Sequence, residues 1–385
     1  MKTHYKTAVI SFFIGALIIL SNNSARASHA EGGEITYTHL NGNNYTIHLS
    51  FYRDCFGITA PASVTVTIAT TQCGLNNQLL LNPIPGTGQE ITHPCGNNLS
   101  TCNGGTQPGI QKWEYEANYA FPAQCSDWII SAAISARNAA ITTIQNPGSD
   151  DLYVEAQLNN LTSDNNSPQF GNAPFILATI NKDLFFNNGL TDADGDSLVY
   201  SLIPARMAAN TPVIYNPGYS SLQPLSSNPP VSIDAETGDI FIHPTALEVS
   251  VIVFEIQEYR NGNIIGSVMR DIQIYTTTAS NNPPVIYGVN GTGQSSIYVL
   301  PDVNFSFNIF SSDPDSTDSL SISWNNGIPA ATFSTIGFMQ QTGIFSWTPQ
   351  NSDVRPQSYD FTVSVKDNGC PENETAIFSF SIFVT

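Results

Sequence analysis

The chain has 385 residues, 41% of them hydrophobic and only 11% charged, and its 12 Lys and Arg stand against 31 Asp and Glu for a formal net charge of -19. So acidic a chain has no basic groove to offer, which excludes nucleic acid and anionic membrane surfaces as partners and leaves divalent cations as natural ones. A chain of this length can bury several ordinary cores, and two or three domains are expected.

The first residues have the layout of a secretory signal: Lys2 and Lys6, an apolar run from Ala8 to Leu20, and the small-x-small triplet Ala25-Arg26-Ala27. Cleavage after residue 27 starts the mature chain at Ser28. It moves the formal charge from -19 to -22, because the leader holds three of the 12 cationic residues and none of the 31 acidic ones. The apolar run is too short to span a bilayer and nothing comparable follows, so the mature chain is expected to have no transmembrane segment. The expected location is secreted, extracellular or cell-surface. No Cys adjoins the cleavage point, so a lipoprotein is not indicated.

Beyond the leader the signal is strand. Tyr45, Ile47, Leu49 and Phe51 alternate with Thr46, His48, Ser50 and Tyr52, the period of two that gives a strand two distinct faces. Comparable runs are Trp128 to Ile134, Val251 to Ile256, Tyr359 to Val365 and Phe378 to Val384, separated by clusters of Gly, Pro, Asn and Ser. No stretch sustains a helical apolar stripe, and the fold class is all-β. The last strand runs to Thr385, which fits a complete chain and a piece of a longer array equally.

An internal repeat divides the chain. NNSPQF (Asn165 to Phe170) returns as NNPPVI (Asn281 to Ile286), 116 residues later. After each comes an acidic loop, DADGDSL (Asp192 to Leu198) and DPDSTDSL (Asp313 to Leu320), and then a block, TGDIFIHP (Thr237 to Pro244) and TGIFSWTP (Thr342 to Pro349). The expected segments are 28–164, 165–280 and 281–385, the last two near the size of a seven-stranded sandwich. The second carries an insertion whose Pro-, Asn- and Ser-rich part, Pro212 to Pro230 with Tyr215 and Tyr219, is either a recognition loop or a loop without a role.

Export favours disulfides, and the six Cys are Cys55, Cys73, Cys95, Cys102, Cys125 and Cys370. The short, Gly- and Asn-rich spacing predicts Cys95 with Cys102, and Cys55 with Cys73 is the second expected pair. Without a CxxC pair, and with the His scattered, a zinc-thiolate site is disfavoured.

Carboxylates at alternate positions can aim several hard oxygens at one calcium ion, and Asp192, Asp194 and Asp196 have that spacing, as do Asp313 and Asp315. These are not EF-hands: the twelfth position counted from Asp192 is Ile203, and strands flank the loop. The same spacing also serves turns, in which Asp side chains satisfy backbone amides.

Catalytic patterns are poor. Gly218-Tyr219-Ser220 continues with Ser221 and Leu222, so no nucleophile elbow forms. Glu114 and Glu116 share a strand face, as a glycosidase pair might, but fit solvent-facing positions better. His29, His39 and His48 lack metal-binding spacing. Trp113, Trp128, Trp324 and Trp347 read as core residues, although an exposed Trp pair would stack on sugars. Arg53 and Arg137, rare cations here, are expected to pair with carboxylates such as Asp54 or Glu34.

NNPPVI, DPDSTDSL, GIFSWTP and YDFTVSVKDNGCP (Tyr359 to Pro371) make the last segment resemble a cadherin-type repeat of the dystroglycan-like or putative-Ig kind. The resemblance implies tandem Ig-like or cadherin-like β-sandwiches, with Asn282, Asp313, Asp315 and Asp367 converging on an interdomain calcium ion and Glu248 and Asp353 in positions from which a preceding segment lends a carboxylate. In the second segment the run Gln257-Glu258-Tyr259 stands where the last has Asp367, a departure from that pattern. SHAEGGEITY (Ser28 to Tyr37), FYRDCFGI (Phe51 to Ile58) and ARNAAI (Ala136 to Ile141) make the first segment similar to the N-terminal part of large secreted proteins of gliding bacteria, which carry PKD-like or cadherin-like repeats and a C-terminal sorting domain; no sorting domain is present in this sequence. The expected function is an exported structural or adhesive cell-surface protein, binding calcium at segment junctions and a cell-surface protein or glycan as partner, and not an enzyme. The alternative is a non-catalytic carbohydrate-binding accessory, or a fragment, of a secreted polysaccharide-degrading enzyme.

Overall fold

The computed structural model describes residues 30–385 apart from 93–94, 96–98, 175, 279 and 371–372. Strands dominate, and no α-helix occurs among the described residues, which contain only short 3-10 turns at Thr101–Asn103, Pro147–Ser149 and Asn351–Asp353. The expected leader, residues 1–27, lies outside the described residues.

The first segment contributes β1 (Ala30–Asn41), β2 (Asn44–Asp54), β3 (Val64–Thr70), β4 (Leu75–Pro83), β5 (Gln89–Glu90), β6 (Ile110–Ala120), β7 (Trp128–Ile134) and β8 (Leu152–Leu158). The second has β9 (Gln169–Phe170), β10 (Ile176–Thr179), β11 (Leu184–Phe186), β12 (Leu190–Thr191), β13 (Ser197–Leu202), β14 (Arg206–Ala208), β15 (Thr211–Pro212), β16 (Ser232–Ile233), β17 (Ile240–Ile242) and the long hairpin β18 (Val249–Arg260) and β19 (Asn263–Thr277). The third has β20 (Val285–Val289), β21 (Ser296–Val299), β22 (Phe305–Ser312), β23 (Ser321–Trp324), β24 (Thr332–Ile336), β25 (Thr342–Trp347), β26 (Tyr359–Lys366) and β27 (Thr375–Val384).

The period-2 runs become strands: Tyr45, Ile47 and Leu49 on β2 are fully buried, as are Trp128 and Ile130 on β7, while Val251 to Phe254 on β18 is buried on both faces. Strand order within the large sheet is β1-β2-β6-β4-β3-β7-β8-β19-β18-β13. One edge of β19 is used three times in succession. Gly266 to Val268 pair with β8, Arg270 to Ile272 with β1, and Ile274 to Thr277 with β10. Because β1 and β8 both end on β19, the second segment's strand closes the first segment's ladders into a circuit. A Cβ on Gly32 would overlap the carbonyl oxygen of Asp271, so glycine is required where β1 meets β19. A shared hydrophobic core follows from this closure, in which Ile35, Leu49, Ile68 and Trp128 join Ile240, Phe254, Ile256 and Ile274, and a smaller second cluster gathers Ile141, Ile144, Val251, Val253 and Met269.

Charge is buried along the same seam. Arg137 donates twice to Asp271, at 2.9 and 2.6 Å, with both side chains 1% exposed. Arg270 donates to both oxygens of Glu34 at 3.1 Å, and Tyr52 adds a third donor to that carboxylate at 3.0 Å. The expected partner Glu34 is therefore taken by Arg270 rather than by Arg53 or Arg137, because β1 runs beside β19. Arg53 instead donates to Gln111 and to the carbonyls of Ile58, Cys55 and Gly57.

The third segment is a sandwich of two four-stranded sheets, β20-β22-β25-β24 and β21-β27-β26-β23. Phe307, Phe345, Trp347, Phe361 and Phe380 fill it, the rings of Phe345 and Phe361 stacking at 4.5 Å. As expected, the Trp residues belong to cores: Trp128 and Trp347 are buried, and Trp113 and Trp324 pack against the two clusters. Pro212 to Pro230 is not a free loop. Leu225 is fully buried, Tyr219 donates to Glu248 at 2.6 Å, and Asn216 donates to the Thr142 carbonyl at 2.7 Å.

The disulfides correct the expected pairing. They join Cys55 to Cys102, Cys73 to Cys125 and Cys95 to Cys370, with Cα separations of 4.8, 6.3 and 5.5 Å, so neither Cys95–Cys102 nor Cys55–Cys73 forms. Proximity along the chain misleads here because Cys95 lies against Cys370 of the third segment, while Cys102 lies against Cys55 just after β2. Cys95–Cys370 spans 275 residues and ties the first segment to the last.

Non-reducing peptide mapping is expected to recover the Cys95–Cys370 cross-link, and removing it by Cys95→Ala with Cys370→Ala is expected to cost about 2 to 5 kcal/mol, read as a lowered melting temperature. Arg137→Leu should cost roughly 3 to 5 kcal/mol by stranding the Asp271 charge, with Asp271→Leu in the same chain restoring much of the loss.

Candidate metal centre

Each repeat builds the same network at its acidic loop. In the third segment Asn282 uses its backbone N–H and Nδ2 to hold Asp315, at 2.7 and 2.9 Å, while Asp313 Oδ1 accepts the Asp315 backbone N–H at 2.7 Å. In the second, Asn166 holds Asp194 in the same way at 2.7 and 3.0 Å, and Asp192 Oδ1 accepts from the Asp194 backbone N–H at 3.0 Å. The repeated Asn-Asn pair thus serves as a clamp. Its first member reaches a deeper carboxylate: Asn281 Nδ2 donates to Asp367 Oδ2 at 2.9 Å, and Asn165 Nδ2 donates to Glu258 Oε2 at 3.1 Å.

Glu258 is therefore the spatial counterpart of Asp367, although the sequence around it departs from the cadherin-type run. Strand register shows why: Leu198, at the end of the acidic loop, lies opposite Glu258, and the bonds pairing Ser321 with Lys366 put Leu320 and Asp367 at the matching place. The sequence signal was present, a carboxylate at the end of the long strand, but recognising it needs the pairing of β13 with β18.

Three carboxylates gather in each loop. Asp313, Asp318 and Asp367 each offer an oxygen within 4.8 Å of the others, as do Asp192, Asp196 and Glu258. Asp318 falls outside the alternate spacing because DPDSTDSL is one residue longer than DADGDSL. Asp315 and Asp194, both expected as ligands, stand beside these groups and are engaged by the Asn clamp. Asn282 also meets Lys182 of the preceding segment through its Oδ1.

Asp367 is 4% exposed; its Oδ1 accepts the backbone N–H groups of Glu374 and Gly369 at 2.8 and 3.1 Å. Burial pushes its carboxyl up to about 6. Burial raises Asp313 as well, with the charges of Asp315 and Asp318 acting in the same direction, and Asp313 Oδ2 is buried with no hydrogen-bond partner. Clustered carboxylates with an orphaned oxygen fit a hard divalent cation, which supplies the charge that mutual repulsion lacks.

The second site is arranged differently on one side. Asp192 Oδ2 and Glu258 Oε1 are buried without a donor, and Glu258 is pushed up to about 9, first by burial and then by the charge of Asp192. Tyr37 of β1 donates to Glu258 Oε2 at 3.3 Å, which brings the first segment into the network. A Cβ on Gly266 would overlap Glu258 Oε2 and the Tyr37 hydroxyl, so a larger residue there would displace this pair. Asp196, with a side chain 3% exposed, is bound by Arg260.

Glu248 and Asp353 belong to neither group. Glu248 accepts from Tyr219 and Ser226, fastening the inserted loop, and Asp353 accepts the Gln350 N–H at 2.7 Å to cap a 3-10 turn. Both do local structural work at their own turns. A cleft of roughly 320 Å³ opens where the three segments meet, lined among others by Thr92, Pro108, Asn172, Phe186, Lys366 and Thr375.

No family model matches the chain, and no curated protein matches it. Among solved structures it is similar to the Ig1-Ig2 pair of Dpr2, solved in complex with DIP-Theta, at 11% identity and TM-score 0.23 over 57% of this chain and 100% of that one. An I-band fragment of titin aligns at 11% identity and TM-score 0.19 over 92% and 99%, and human CDH23 EC21-23 at 11% and 0.20 over 55% and 73%. Likeness at such scores carries no argument about family or role, and the all-β assignment rests on the sheets themselves. No helix among the described residues is long and apolar enough to cross a membrane.

Removing the Asn281 amide by Asn281→Ala leaves Asp367 Oδ2 short of a donor in a buried setting. The expected cost is about 1 to 3 kcal/mol, seen as a lower melting temperature in chelator, where no cation compensates.

Proposed function

We propose that this chain is an exported structural or adhesive cell-surface protein whose junction before the third segment is set by a calcium ion held by Asp313, Asp318 and Asp367. The single observation that carries the reading is the orphaned oxygen, Asp313 Oδ2, buried among carboxylates that gather at the joint between segments. Three disulfides, one of which spans that joint, agree with an oxidising compartment. Asn281 and Asn282 lie in the linker itself; Asn281 holds Asp367 and Asn282 holds the neighbouring Asp315, so occupancy stiffens the connection.

The chain binds rather than catalyses on this reading. Glu114, half of the best acid pair in the sequence, is bridged to Lys112 at 2.7 Å on the sheet surface. A glycan-binding role has one observation in its favour, the cleft at the triple junction, but none of the four Trp is free to stack on a sugar, since they are packed in or against cores. A glycan array probed with the mature chain separates the two readings.

An extracellular site of this type has a dissociation constant of roughly 10⁻⁴ to 10⁻³ M, so millimolar calcium should stabilise the chain by about 1 kcal/mol. Calorimetry and thermal melting in calcium against chelator test this. A calcium-dependent rise that vanishes in Asp313→Asn and Asp367→Asn supports the reading, and a melting temperature indifferent to calcium sinks it.

A further inference from the structure

The two acidic loops share their clamp, their Asx turn and their deep carboxylate, yet differ two residues past that carboxylate. The second segment has Arg260 after Glu258, and the third has Gly369 after Asp367. Arg260 turns back into its own loop. Its Nε and Nη2 donate to the two oxygens of Asp196 at 2.7 and 2.6 Å, and Nη2 lies 3.2 Å from Asp194. Nη2 also reaches Asn165 Oδ1 at 2.9 Å, while Nη1 donates to Ser163 at 3.1 Å and to the Asp164 carbonyl at 2.9 Å. The guanidinium therefore touches two of the loop's carboxylates, the Asn of the linker and the backbone just before it.

Those are groups that a junctional cation would organise. A planar fork with five donors occupies both oxygens of Asp196 at once, and it cannot be deprotonated in a protein or removed by chelation. Glu258 is fully buried, its Oε1 and Asp192 Oδ2 receive no N–H or hydroxyl donor from another residue, and the two carboxylates gather with Asp196 beside the guanidinium as the oxygens of a cation site would. Gly369 brings no side chain to the corresponding place, and among the described residues no Lys, Arg or His forms an ion pair with Asp318.

We propose that Arg260 is a built-in replacement for the calcium ion, so that the chain takes calcium at the third segment's loop alone, and that removing the guanidinium opens a second calcium site on Asp192, Asp196 and Glu258. The first junction is then fastened under all conditions, and only the second responds to calcium. This deepens the calcium reading above, and its claim about Arg260 can be judged separately.

The test is the number of calcium ions bound per chain, measured by titration calorimetry on the whole mature protein with its disulfides intact. Wild type should bind one, Arg260→Ala two, and Arg260→Ala with Glu258→Gln one again. Arg260→Lys, which keeps a tethered charge, should stay at one. Arg260→Gln, which preserves the stem's packing, serves if the alanine variant does not fold. Glu258→Gln in the wild-type background must leave the count unchanged. A wild-type count of two, a count lowered by Glu258→Gln alone, or a folded Arg260 variant that gains no ion overturns the proposal. A wild-type count of zero overturns calcium at the third segment instead, and a rise to one on removing Arg260 would still uphold the replacement.

Discussion

One edge of the strand Asn263–Thr277 has to satisfy three partners in turn, and the arrangement of the first two segments depends on it. A strand edge is a row of unpaired amides and carbonyls that must be covered. Here β8, β1 and β10 cover successive stretches of it, which closes the first segment's ladders and brings its apolar faces against those of β18 and β19. The cost of that closeness is local. Gly32 and Gly266 stand where the backbone or a carboxylate crowds the strand.

The same seam explains why an acidic protein buries two of its few arginines. Arg137 and Arg270 lie within it, each forked onto one carboxylate from the other segment. Buried pairs of this kind are weak evidence for stability in themselves, since desolvation offsets much of the attraction. They do impose register: a slip of one residue between β1 and β19 would separate Glu34 from Arg270 and leave both charges unpaired.

The joints between segments repeat one device, an Asn-Asn pair that reads one carboxylate of the following acidic loop and one from the end of a later strand, and differ in what neutralises the remainder. A guanidinium does so beside Asp196, while the carboxylates at Asp313 and Asp367 have no such tethered cation among their described contacts. The covalent link Cys95–Cys370 lies three residues beyond Asp367, so the loop holding that carboxylate is anchored to the first segment as well.

Local patterns were enough to determine much of this protein. The period-2 runs became strands, the repeated Asn-Asn linkers and acidic loops came together as one network per segment, and the Trp residues went to cores, because alternation, turn chemistry and apolarity act over a few residues. What the tertiary structure decided is everything that depends on which distant strands lie side by side. Glu258 joined the second site only through its register with Leu198, Asp318 only through a loop one residue longer, and Arg260 only because its strand ends beside that loop. The disulfide pairing is hidden from the sequence for the same reason. Sulfur pairs by distance in space, and the 275 residues between Cys95 and Cys370 say nothing of the 5.5 Å between their Cα atoms.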